Sequence, residues 1–161
     1  MVMGSLRQDV DVVVVGGGPG GYVAAIRAAD LGLEVCLIEE RKQLGGVCLI
    51  EGCIPSKTLI HAVHVLDAAH EAESFGVSFG KPSIDLDKLR AHRHEVTNGL
   101  ASGVGQLLKA RGVEVINARA RFDGPGSLAL EGSDVSGIDF KHCILATGSR
   151  IVELPFMEGL G

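Results

Sequence analysis

A chain of 161 residues with 46% hydrophobic content and 23 glycines is one domain's worth of globular material, able to bury a sizeable core. Its formal net charge of −5 argues against nucleic-acid and anionic-membrane partners, which would repel it unless a basic patch compensated, and no such patch is visible. Four cysteines do not make a secreted disulfide scaffold, Met1–Asp11 lacks an apolar signal core, and no apolar run approaches the ~20 residues of a membrane span, so the expected setting is cytoplasmic.

In chain order, Val10–Val15 is a β-branched run ending in Gly16, which suits a strand buried on both faces of a parallel sheet. A helix follows over Gly20–Leu31, with small residues for close packing and Gly32 as its stop. Glu34–Ile38 is a second apolar strand, completing a β-α-β unit of the size a right-handed crossover needs. The spacing predicts a helix from Pro55 to about Ser74, with Leu59, Ala62, Val63, Leu66 and Ala69 on one stripe. A longer helix is predicted over Ile84–Lys109, its stripe formed by Leu86, Leu89, Val96, Leu100, Val104 and Leu107. Val113–Ile116 reads as a short strand. Arg119–Phe122, Ser127–Leu130 and Ile138–Phe140, separated by glycine-rich turns, read as a small antiparallel meander, and Cys143–Ala146 as a last apolar strand.

The run Gly16-Gly17-Gly18-Pro19-Gly20-Gly21 fits G-x-G-x-x-G, and each of the three glycines has a mechanical task. Gly16 permits the tight turn, Gly18 lets backbone approach a pyrophosphate, and Gly21 lets the helix pack on the strand. Phosphates then meet N–H groups at a helix N-terminus, favoured by its dipole. The motif alone is weak. Here it follows a strand, opens a helix and is followed by Glu39 at the end of the second strand, placed to hydrogen-bond ribose hydroxyls and to disfavour a 2′-phosphate. Glu40, Arg41 and Lys42 are either a solvated turn or neighbours of the adenosine end.

Cys48 and Cys53 stand five residues apart, shortly after this loop. Five helical steps advance ~7.5 Å, whereas a bridge tolerates Cα separations up to ~7 Å, so a regular helix cannot hold the pair as a disulfide. Gly52 and Pro55 make an irregular turn plausible, and so short a closed loop adds little entropic stabilisation. A redox-active dithiol is the favoured reading, with a structural bridge and a metal pair as alternatives; C-x₄-C has no second ligand pair at zinc spacing. Lys57 and a nearby helix N-terminus would favour a thiolate at Cys53. Cys36 and Cys143 lie inside predicted buried strands and read as small hydrophobes. His61, His64, His70, His92, His94 and His142 show no ligand or triad spacing, and no metal site is expected.

Three segments together resemble the N-terminal part of the pyridine-nucleotide-disulfide oxidoreductase family, and within it most closely its dihydrolipoamide dehydrogenase branch. They are Gly16–Gly21 continuing through Tyr22-Val23-Ala24-Ala25-Ile26-Arg27-Ala28-Ala29, Gly45–Lys57 with its Cys-Ile-Pro-Ser-Lys ending, and Ile144-Leu145-Ala146-Thr147-Gly148-Ser149. The likeness runs from about Asp9 to the C-terminus. It implies an α/β fold, a Rossmann-like parallel sheet for FAD with a small antiparallel meander. It also implies that FAD is held by Gly16, Gly18, Pro19 and Gly20, with Glu39 and Glu40 at the adenosine and the backbone of Ala120 near the adenine. Gly46, Val47 and Cys48 would line the flavin side, Lys57 would lie near the flavin's reactive nitrogen, and Ala146, Thr147, Gly148 and Ser149 would pass the pyrophosphate.

By the same resemblance Cys48 is the interchange thiol and Cys53 the thiolate facing the flavin. The implied reaction oxidises a protein-bound dihydrolipoyl group and passes two electrons through FAD to NAD. The implied partners are a lipoyl domain of a 2-oxo acid dehydrogenase or glycine cleavage complex and a second copy of the chain in a homodimer. Ile50 and Glu51 depart from the family, which commonly has Asn and a small or variable residue there; a carboxylate beside the thiols would alter their redox poise. The family continues into an NAD domain and a dimer-interface domain, so the expectation for these 161 residues alone is a sheet short of a strand and no turnover. Competing readings are a non-catalytic FAD-binding module, a mercuric- or glutathione-type reductase, and a flavin monooxygenase-like domain.

Overall fold

The computed structural model describes residues 6–149 and Val152; the readings that touch residues 1–5 and the chain's end at Gly161 lie outside them. The chain runs β1 (Leu6–Val15), α1 (Pro19–Asp30), β2 (Val35–Glu39), α2 (Gly46–Ile50), α3 (Cys53–Glu71), a 3₁₀ turn (Ala72–Phe75), α4 (Leu86–Ala110), β3 (Glu114–Asn117), β4 (Arg119–Gly124), β5 (Ser127–Glu131) and β6 (Val135–Leu145). These strands form one six-stranded sheet in the order β3-β2-β1-β6-β5-β4. The β3-β2-β1-β6 part is parallel and β6-β5-β4 is antiparallel, so the expected parallel sheet and meander are joined rather than separate. The joint is β6, where one strand stands in place of the two predicted over Ile138–Phe140 and Cys143–Ala146. Lys141 and His142, which lie between the two predicted strands, belong to β6, and His142 stands opposite Val12 of β1.

The continuous apolar run of β1 and β2 is explained by two cores. Val12, Val14, Val35 and Leu37 pack against Ala25 and Ala28 of α1, Leu49 of α2 and Ala101, Val104 and Leu108 of α4. Val13, Cys36 and Ile38 pack in a second cluster with Ile116, Ala118, Leu128, Leu130 and Ile138. Strands in such a sheet have no polar face, which is why they show no alternation.

Helix boundaries and faces differ from expectation in instructive ways. α4 starts at Leu86 rather than Ile84 because Asp85 takes the N-cap, its carboxylate accepting from the N–H groups of Asp87 (3.1 Å) and Lys88 (3.0 Å). Its buried residues are Thr97, Ala101, Val104 and Leu108; of the predicted stripe Val104 is buried and Leu89 and Val96 are half-buried, whereas Leu86, Leu100 and Leu107 are exposed, their places in the core taken by Ala101 and Leu108. α3 buries only Pro55 fully; Ala62, Leu66 and Ala69 are half-buried, while Leu59 and Val63 of the predicted stripe are exposed together with Ile60 and Val65. By length and composition the helical stretch Gly46–Phe75 is long and apolar enough to cross a membrane, although it holds no continuous apolar run of the length looked for in the sequence. Lys57, three histidines and Asp67 interrupt α3, and the stretch is broken between α2 and α3 at Glu51 and Gly52.

Candidate functional site

The C-terminal ends of β1, β2 and β6 face the N-terminus of α1, the crevice in which open α/β sheets bind ligands. Gly16 turns at φ +108, a conformation that excludes side chains, and a Cβ there would overlap the carbonyl of Ala146. A Cβ on Gly21 would overlap the carbonyl of Gly16, so α1 starts directly against the end of β1. Gly18 caps α1 with no side-chain hydrogen bond, Pro19 opens it, and no acidic residue stands in its first turn. The N-terminal pole of a 12-residue helix is therefore open to an anion.

The cysteine segment is tied to this turn. Gly45 N–H donates to the carbonyl of Gly17 at 2.8 Å, and Gly46, at φ +57, approaches so closely that a Cβ would come within 2.8 Å of Gly18 Cα. Cys48 lies in α2 and Cys53 begins α3, with the Glu51-Gly52 break between them; their Cα atoms are 4.7 Å apart and they are joined as a disulfide. The irregular turn anticipated from spacing is thus the break itself. Cys53 opens a 19-residue helix with no side-chain cap, so its sulfur sits at a pole that favours a thiolate.

Glu39 is held by both flanks of the site, its carboxylate accepting from Gly17 N–H at 2.6 Å and from Arg41 N–H at 2.8 Å. Asn117 at the end of β3 donates from Nδ2 to the carbonyls of Glu39 (2.8 Å), Glu40 (3.2 Å) and Arg41 (2.8 Å), fixing the turn that follows β2. Glu40 pairs with Arg119 at 3.7 Å and Arg41 Nη1 with Glu51 Oε1 at 2.6 Å.

A cleft of about 480 Å³ collects these groups. Gly16, Gly18, Pro19 and Gly20 line one side, and Glu39, Glu40 and Ala120 another. Gly46, Val47 and Cys48 approach from α2, and Ala146, Thr147, Gly148 and Ser149 follow β6. Of the residues singled out from sequence, Lys57 and Cys53 do not line it; Lys57 is exposed one turn into α3. Val15, Ile38, Arg41, Ala118 and Arg119 also line the cleft, and Asn117 positions its wall. Arg41 was legible only as a neighbour of Glu39, whereas Asn117 carried no signal, because its role depends on β3 pairing with β2.

The other cysteines are separate from this site. Cys36 is fully buried and burial pushes its thiol up to about 12, so it stays protonated. Cys143 is only half-buried, not fully as expected, because the last residues of β6 emerge beside the cleft; partial burial still raises its pKa. All six histidines are exposed, and no cluster of three or more metal-binding side chains occurs among the described residues.

Residues 10–160 match the family described as pyridine nucleotide-disulphide oxidoreductase. The chain belongs to that family. It is 46% identical over 154 residues to a dihydrolipoyl dehydrogenase of Vibrio parahaemolyticus, covering 95% of this chain and 32% of the relative. It is 47% identical over 151 residues to one of Trypanosoma brucei brucei, covering 91% and 32%, and 42% identical over 159 residues to dihydrolipoyl dehydrogenase 3 of Haloarcula marismortui, covering 96% and 33%. The chain thus spans about a third of the length of these curated relatives. The matched region contains the glycine turn, the bridged cysteines and the β6 end that frame the cleft.

Proposed function

We propose that this chain forms the FAD-holding part of a dihydrolipoyl dehydrogenase, in which the Cys48–Cys53 disulfide accepts two electrons from a protein-bound dihydrolipoyl group and NAD finally receives them. The observation that carries the reading is the adjacency of a reducible bridge and a dinucleotide cradle, with Cys48 in the wall of the same cleft as Gly16, Gly18 and Gly20. The residues fit a dinucleotide: the turn leaves no room for side chains at Gly16, Gly17 and Gly21, the uncapped pole of α1 suits a pyrophosphate, and the Glu39 carboxylate is held at the end of β2 by the N–H groups of Gly17 and Arg41. When bound, FAD supplies the two-electron carrier between sulfur and nicotinamide.

The protein's own part is thiol–disulfide exchange. A substrate thiolate attacks Cys48, forming a mixed disulfide and releasing Cys53 as a thiolate; the second substrate sulfur then displaces Cys48, closing the substrate's disulfide and leaving the protein with two reduced cysteines. The thiol of lower pKa leaves faster, so the helix pole at Cys53 directs attack to Cys48. The relatives' names support a dihydrolipoyl group as the substrate, and the family resemblance extends the proposal to a lipoyl domain of a 2-oxo acid dehydrogenase or glycine cleavage complex as its carrier and to a homodimer as the working unit. The exposed apolar residues Leu59, Ile60, Val63 and Val65 of α3 give such an assembly surface to bury.

The test is dihydrolipoamide-dependent NADH formation by the full-length protein. Cys48→Ser and Cys53→Ser should each lower it by at least about a thousandfold, as expected for groups acting as a unit, while bound flavin is retained. Turnover that survives either substitution sinks the proposal.

A further inference from the structure

We infer that Arg41 sets the redox poise of the Cys48–Cys53 pair by neutralising Glu51, the carboxylate enclosed in the loop between the two cysteines. The inference rests on the redox role proposed above for that pair. Glu51 follows α2 as its C-cap, two residues before Cys53, so with trans peptides its Cα lies no more than about 7.6 Å from that of Cys53. Its carboxylate pairs with Arg41 Nη1 at 2.6 Å. Arg41 is delivered there by a fixed backbone: its N–H donates to Glu39 at 2.8 Å and its carbonyl accepts from Asn117 Nδ2 at 2.8 Å. Both partners are about half exposed, so the pair contributes little to folding. Its consequence is electrostatic. An unpaired carboxylate at this range disfavours a neighbouring thiolate by about two- to fivefold, and the reduced protein is the state that holds the thiolate. Arg41 is thus a positioning residue for the pair, acting through Glu51. Lys57, one turn into α3, adds a charge that is the same in every variant below.

The equilibrium to measure is exchange with glutathione. Two glutathione thiols give two electrons and two protons to the Cys48–Cys53 bond, yielding glutathione disulfide and two cysteine thiols, one of which loses its proton to the buffer. The redox state of the full-length protein, poised in glutathione buffers of graded ratio, is read by thiol trapping and mass spectrometry, which needs no flavin and no turnover. Arg41→Gln should shift the equilibrium toward the disulfide by about two- to fivefold and Glu51→Gln toward the dithiol by a similar factor. R41Q/E51Q should return close to the wild-type value, R41K should match wild type, and all shifts should shrink at about 1 M salt.

Opposite signs in the two single variants are the signature, because loss of a merely structural tie moves both in the same direction. Same-direction shifts, or variants that coincide with wild type, overturn the inference and leave the proposed function standing. A wild-type pair that never exchanges overturns both. Should R41Q not fold, E51Q alone still decides, since it must move toward the dithiol.

Discussion

Gly46 holds its backbone at φ +57 with Gly18 Cα where a side chain would need to be, and this contact sets the redox segment against the nucleotide turn. Gly46→Ala should therefore cost both the left-handed strain, about 1–2 kcal/mol, and the contact that shapes the cleft. The expected result is a lowered urea midpoint together with flavin affinity reduced at least about tenfold, a separation of about 1.4 kcal/mol, measured by flavin fluorescence titration. Gly32→Ala is the control: at φ +82 with no atom near its missing Cβ, it carries strain alone and should leave flavin affinity unchanged. The same scale separates the thiols. Cys36, buried and pushed up to about 12, should resist iodoacetamide in the native protein, while Cys48 and Cys53 become reactive once reduced. Alkylation of Cys36 at the rate of the reduced pair would contradict its place in the core. Much of this was legible in the residues, since glycine turns and paired cysteines act through local geometry. Gly46 was legible as a site residue, but its contact with Gly18 links two segments that only the fold brings together.

Elements were legible where the pattern is local and drifted where packing chooses the face. β1, α1 and β2 form in the order read because an apolar run, a glycine turn and a helical stripe follow one another within the β-α-β unit, although β1 begins at Leu6 rather than Val10, its polar first residues pairing with β6. The stripe of α4 was right at Val104 and one residue off at Leu100 and Leu107, large residues that the pattern favoured, whereas close approach to α1 and α2 selects Ala101 and Leu108. Leu108→Ala should destabilise the fold by about 2–5 kcal/mol and Leu107→Ala by less than about 1 kcal/mol, checked by urea denaturation. Equal effects would restore the displaced stripe. Asp85→Ala should cost about 1 kcal/mol by leaving the N–H groups of Asp87 and Lys88 without their acceptor. Arg119–Gly124 and Ser127–Glu131 pair as the turns between them indicate, but the length of β6 was hidden by its charged middle.

At the scale of the molecule, the sheet is closed by β1 pairing with β6 across more than a hundred residues of chain, and Arg7 fastens that pairing at its open end. Its guanidinium donates to both carboxylate oxygens of Asp139, at 3.2 and 2.9 Å, reaches Asp123 at 3.4 Å and contacts Ser127 Oγ, joining β1 to β4, β5 and β6. The Arg7 hydrogen bond holds Asp139 below its ordinary 3.8, and Ser127 followed by Arg7 does the same for Asp123. Midway along the β1–β6 pair, Lys141 and the N–H of Glu34 lower Asp11 in the same way. A carboxylate whose folded pKa is depressed binds fewer protons folded than unfolded, so its stabilisation is complete above the unfolded value and is lost as pH falls through the folded one. Stability should then be level near neutrality and decline as pH falls through 3.8, the common starting value of all three aspartates, toward their lower folded values. Asp139→Asn removes one of these titrations and should flatten the decline in urea midpoint between about pH 5 and 2, as should raising the salt, since the groups are open to solvent and screened. An acid limb unchanged by D139N would mean that the β1–β6 junction is held by its ladder and core alone, with Arg7 a bystander at the sheet's edge.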